Sequence, residues 1–285
     1  MDAQPAPWDI RRRSTTYAAL YGRLALHPWR GPIPEYDAYM LFYARSLAMG
    51  WLTEAREGAV GGFWGTEEAE VTPNAGLPPS RVAWVQVGLT NLMPDSRLLP
   101  VQPFLACIGE VVGRMGTLDL HAVQVVLPVE RLRASAGAAS PWDVALVLVQ
   151  DTKWFADVPP HARVRVQVTL NGGPNPAIRS AAPEMFRWMQ SINQEIFVCA
   201  SFSVSDEEAL VSEAAFIGEF AQDQFPAWWQ SGPHQATFRG TLVEWSLDAI
   251  GWLAAFLAEA SHQSGVSTPL MLTVGRLDGS GSSAD

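Results

Sequence analysis

His161-Ala-Arg-Val-Arg-Val-Gln-Val168 alternates polar and apolar residues at a period of two. As a strand it sends Arg163, Arg165 and Gln167 to one face and Val164, Val166 and Val168 to the other. A central strand of a parallel sheet, covered on both faces, would not tolerate two such arginines. A largely antiparallel sheet with one face buried accommodates them. Helices laid on one face of such a sheet give an α+β fold.

Outward from this strand, the order strand, helix, strand recurs three times. Arg81–Thr90 is β-prone, a turn holding Asn91, Pro94, Asp95 and Ser96 follows, Leu99–Arg114 is helical and Leu118–Leu127 is β-prone again. The second unit runs from Arg163–Leu170 through Gly172-Gly173-Pro174-Asn175-Pro176 to a helix ending near Ile192 and a strand over Glu195–Val204. The third runs from Ala236–Glu244 through Ser246, an N-cap candidate, to a helix over Leu247–His262 and a strand over Thr268–Leu277. Repeated β-α-β units of this kind build ferredoxin-like or duplicated plaits. The six apolar residues Val144–Val149 read as a further strand, and Ser205 with Glu208 has capping-box spacing at the start of another helix. The helix over Leu247–His262 is apolar on two sides, which requires a second layer, another subunit or the N-terminal helices to cover it.

Residues 1–70 differ from the rest. All five tyrosines fall here, and Tyr36, Tyr39, Met40, Tyr43 and Leu47 form one stripe of an amphipathic helix running to about Glu57. A shorter helix is expected over Ser14–Leu26. The resulting division is an N-terminal helical, Tyr-rich segment (1–70) packed on an α+β domain (80–277), with a disordered Gly/Ser tail (278–285).

The chain has 285 residues, a formal charge of −10, 48 % hydrophobic and 17 % charged residues. That balance excludes a largely disordered chain, and the acidity disfavours nucleic acid or an anionic membrane as partner. No apolar run approaches the roughly 20 residues of a spanning helix, and no secretory signal opens the chain, so a cytoplasmic location is expected. Arginine fills 18 of the 19 basic positions, leaving Lys153 alone, a bias that suggests a GC-rich bacterial genome.

Local chemistry is sparse. The five histidines are all more than four residues apart, and Cys107 and Cys199 are the only cysteines. No local metal scaffold or disulfide framework is expected. No phosphate loop, dinucleotide turn or serine nucleophile elbow is present, and no cofactor is implied. Gly172–Pro176 reads as a strand-to-helix turn with Asn175 as cap. The best catalytic candidates are Asp151 and Lys153, which follow Val144–Val149 and would share a face as acid and base. Aromatic excess is the other signal: the chain has 12 tryptophans. Trp228 and Trp229 are adjacent, and Trp64 and Trp154 sit in expected connections. Indoles in such places suit a binding surface for a protein partner or for self-association. The expectation is therefore a binding or assembly protein (an adaptor, an immunity-type protein or a complex subunit). The alternative is a cofactor-independent cyclase, isomerase or lyase holding an apolar small molecule in an aromatic pocket.

Overall fold

The computed structural model describes residues 14–30, 37–53, 62–72, 80–89, 98–135, 147–149, 152–205 and 234–277. Eight strands form one antiparallel sheet: β1 (Ser14–Leu26), β2 (Trp64–Val71), β3 (Ser80–Leu89), β4 (Gly116–Leu127), β5 (Val164–Asn171), β6 (Phe197–Ser205), β7 (Gln235–Leu242) and β8 (Leu270–Arg276). Their spatial order is β2-β3-β1-β4-β8-β5-β7-β6. The helices are α1 (Ala38–Ala48), α2 (Val101–Met115), α3 (Glu130–Ser135), α4 (Ala177–Ser191) and α5 (Leu247–Gln263).

The chain follows one itinerary twice: β1-α1-β2-β3-α2-β4, then β5-α4-β6-β7-α5-β8. Strand order in the second half mirrors that in the first about the β4–β8 pair, where Val123 lies opposite Val274 and Val125 opposite Leu272. The helical layer repeats this arrangement, because α1 packs on α2, α2 on α5 and α5 on α4.

At β5 the polar and apolar alternation becomes two distinct faces. Val166, Val168 and Leu170 are fully buried in the main core, and Arg165 is exposed on the opposite face. Buried side chains of the four long helices join the same core cluster, with Phe104, Ile108, Ile178, Met185, Leu253 and Phe256 among its members. Each such side chain contributes about 1.5–3 kcal/mol on burial.

Besides β2, which occupies an expected connection, and α1, which ends at Ala48 and not near Glu57, two expectations need correction. Ser14–Leu26 is not a helix: β1 lies inside the sheet between β3 and β4. Both of its faces are covered, Ala18, Leu20 and Leu24 by the main core and Tyr17, Ala19 and Tyr21 by a second cluster with Ala122 and Val126. Burial on both faces removes the period-two signature of a strand. Secondly, residues 147–149 turn helically instead of extending as a strand. The helix expected after Ser205 lies outside the described residues.

Helix α5 is buried from Ala249 to Ser261 around its whole circumference. The connection between the halves covers it: α3 contacts α5, and Trp252 Nε1 donates to the Leu148 carbonyl at 3.0 Å. Ser246 caps α5 as expected, its Oγ accepting from Ala249 N–H at 3.1 Å. At the β5-to-α4 turn the cap position is Pro176 and not the expected Asn175, whose Oδ1 accepts from Ala177 N–H at 2.9 Å one residue further on. No helix among the described residues is long and apolar enough to cross a membrane.

Candidate functional site

The connection holds two 3₁₀ turns before β5, Thr152–Phe155 and Pro160–Ala162, of which the first carries the candidate residues. Phe155 is buried in the main core, whereas the next side chain back, Trp154, is 74 % exposed. Backbone bonds from Ala156 N–H to Lys153 O and from Val158 N–H to Phe155 O, both 3.2 Å, hold the turn closed. An anchored aromatic on one side and a solvent-facing indole on the other result from consecutive positions in a tight turn. Lys153 also faces solvent. Asp151, the other half of the expected acid–base pair, lies outside the described residues, as do Trp228 and Trp229.

Trp64 is placed differently from Trp154. It opens β2, has no exposed surface, and packs against Phe42, Trp51, Phe63 and Phe104 at centroid distances of 5.6–6.2 Å. Its Nε1 donates to Ser46 Oγ at 3.2 Å, which satisfies the indole inside the core. The connection expected at Trp64 is a strand instead, and Gly62 (φ +95°) turns the chain immediately before it starts.

A further apolar surface lies on α1. Asp37 caps this helix through Met40 N–H at 2.8 Å, and its inner stripe is Ala38, Phe42 and Ser46. The expected amphipathic stripe contains Met40 and Leu47, and both are 44 % exposed, as is Met49 to a similar degree. Met40, Ala44 and Leu47 follow at i, i+4 and i+7, so they form one outward apolar row. Helix α1 carries apolar residues on two sides, and spacing alone gave no means of choosing which side the sheet would take.

The sheet face opposite the helices holds a linked aromatic and polar group. Tyr17 stacks on Trp84 at 5.8 Å, and the Arg81 guanidinium lies 5.5 Å over the Trp84 ring while donating to Tyr17 Oη at 3.1 Å. Trp84 Nε1 donates to Glu70 at 2.9 Å, Tyr21 Oη to Gln124 Oε1 at 2.7 Å, and Gln124 Nε2 to Thr273 Oγ1 at 3.3 Å. Burial pushes both phenols above the ordinary tyrosine range, Tyr21 more than Tyr17. Neutral, hydrogen-bonded phenols in this setting brace the sheet and do not act as bases at neutral pH.

Both cysteines are buried, and burial pushes each thiol up to about 11. Cys107 contacts Ser46 Oγ at 3.7 Å, a weak sulfur hydrogen bond. A thiol so raised holds its proton at neutral pH and is a poor nucleophile. Among the described residues, no three His, Cys, Asp or Glu side chains gather as metal ligands would. No protein-family model matches the chain, and neither a curated protein nor a solved structure matches it.

Proposed function

We propose that the chain is a binding or assembly protein whose contact surface is aromatic and apolar. The observation that carries this reading is Trp154, an indole held 74 % in solvent on a turn pinned by its buried neighbour Phe155. Exposing an indole forgoes the stabilisation its burial would give, and such rings are the commonest anchors of protein interfaces. The outward row of Met40, Ala44 and Leu47 on α1 adds apolar surface of the kind that marks contact sites. Trp228 and Trp229 belong to the same proposal on sequence grounds. The enzymatic alternative calls for Asp151, Lys153 or a histidine to face an enclosed pocket; Lys153 is exposed and adds no support to it, and Asp151 lies outside the described residues.

The repeated strand order supports reading each half as a ferredoxin-like plait, the pair joined edge to edge at β4 and β8. The arginine bias supports a bacterial source.

The experiment is native mass spectrometry of the protein purified from its source lysate, comparing wild type with Trp154→Ala and with Met40→Glu/Leu47→Glu. A partner or second copy retained by wild type and lost from a variant of unchanged circular dichroism is the expected result. Wild type running as a bare monomer, or both variants keeping the complex, would overturn the reading.

A further inference from the structure

We infer that the exposed sheet face of β5, β7 and β6 docks an extended acidic segment of a protein partner, held by Arg165 and Arg239. These three adjacent strands contain both arginines and not one aspartate or glutamate, on a chain whose formal charge is −10. Strand β2 at the other edge shows the contrast, with Glu67, Glu68 and Glu70. A local field of positive sign on an acidic molecule favours carboxylates at this face over the rest of its surface.

The register places the two arginines as diagonal neighbours. Arg165 lies opposite Thr241, and Gln167 lies opposite Arg239. Inward positions on both strands are filled by Val166, Val168, Ala236 and Phe238, all fully buried, so both arginines point away from the helices. Arg239 Nε donates to Gln167 Oε1 at 3.0 Å, which fixes the guanidinium and leaves its two terminal nitrogens directed elsewhere. Among the described residues neither arginine meets a carboxylate, whereas Arg45, Arg163 and Arg187 each pair with a glutamate. Two like charges on one diagonal repel each other, and an anion bridging them removes that cost.

Spacing specifies the partner. Diagonal neighbours stand about 7–8 Å apart. Side chains on one face of an extended strand recur about every 6.7 Å, so acidic residues at alternate positions match the pair. In the row holding Arg165, Thr241 is followed on β6 by Val198, which is half exposed and offers an apolar contact beside the charges. Thr169 and Thr237, joined through their hydroxyls at 3.2 Å, continue the polar surface. Two arginines make too short a track for a nucleic-acid backbone, which acts through several phosphates at once.

The probe is a fluorescein-labelled eight-residue peptide alternating Glu and Thr, titrated with the full-length protein in low salt and read by anisotropy. Its Gln/Thr counterpart and an oligothymidine of eight nucleotides, each labelled in the same way, serve as controls. Expected are binding of the Glu/Thr peptide alone, a loss of about threefold to fivefold for Arg165→Ala or Arg239→Ala, and no measurable binding for Arg165→Glu/Arg239→Glu. Arg187→Ala, at an exposed position of α4, should bind as wild type does. The variants sit at exposed positions, and unchanged circular dichroism and urea midpoints would confirm their folding. Absence of wild-type binding, equal binding of the Gln/Thr peptide, tighter binding of oligothymidine, or indifference to the Arg165 and Arg239 changes would each overturn the inference. Because these residues are separate from Trp154 and α1, failure here leaves the proposed contact surface to its own test.

Discussion

Gly251 on α5 sits where the two halves of the molecule meet, and replacing it tests how closely they approach. A methyl group at this position would lie 2.6 Å from Gln102 Cα and 3.2 Å from Gln102 Cβ. Carbon atoms in good contact are about 3.5–4.0 Å apart, so α2 and α5 must separate by about 1 Å to admit it. The obstacle is backbone and cannot rotate away. Overpacking of this kind costs about 1–3 kcal/mol, and the helix-forming advantage of alanine over glycine returns about 0.8–1 kcal/mol. Gly251→Ala should therefore destabilise the protein by about 1 kcal/mol. Gly109, on α2 at the same interface, provides the control. There the nearest atom to an added methyl is Leu247 Cδ1 at 2.8 Å, the end of a flexible side chain, with the next atoms at 3.8 Å. Gly109→Ala gains the same helical advantage and needs only a rotamer change, so it should be neutral or stabilising by up to about 1 kcal/mol. Urea unfolding at 25 °C, followed by tryptophan fluorescence, measures both. If the two variants shift stability equally and in the same direction, the close contact of α5 with the α2 backbone is wrong.

Trp252→Phe keeps most of the ring but removes the donor to Leu148 O, leaving a buried carbonyl without its partner. A loss of about 1–3 kcal/mol is expected in the same assay, together with faster proteolytic cleavage between the two halves. Iodoacetamide at pH 8 should leave Cys107 and Cys199 unmodified in the folded protein and label both in urea, as read by intact mass; rapid native labelling would contradict their burial and raised thiol values. Glu259 is almost fully buried on α5, and burial raises its carboxyl above the ordinary range, against a smaller opposing effect from the Gln263 hydrogen bond. Its folded form retains the proton at a pH where the unfolded chain has released it, so stability falls as pH rises through that window. Glu259→Gln should be more stable than wild type at pH 7 and should flatten the dependence above the ordinary carboxylate value of 4.5; an unchanged slope would refute the assignment.

Elements whose two faces differ were the plainest to read from the chain. β5 alternates arginine and glutamine with valine because one face meets helices and the other does not, and its register and burial follow that pattern. β1 is interior on both faces, and Tyr17, Ala18, Ala19, Leu20 and Tyr21 consequently form an unbroken apolar run with good helix formers in it. Reading β1 as a helix and β2 as a connection concealed the fourth β-α-β unit, and with it the twofold relation between the halves. Helix α1 posed the opposite difficulty, since it has two apolar stripes and the period of 3.6 identifies a helix without choosing which stripe is buried. The choice came from tertiary partners: Phe42 meets Trp64 and Phe104, and Ser46 receives the Trp64 indole N–H, which no local spacing encodes. The same argument separates the tryptophans. Trp64 and Trp154 both stood in sequences resembling connections, and the difference between a core ring and a solvent ring lies in what stands beside each. Trp64 enters a strand with four aromatic neighbours, whereas beside Trp154 it is Phe155 that takes the buried position. A contact surface is therefore poorly encoded by residue type alone. It becomes visible as side chains the core could have taken and did not, and Trp154, Met40 and Leu47 meet that description in the finished fold.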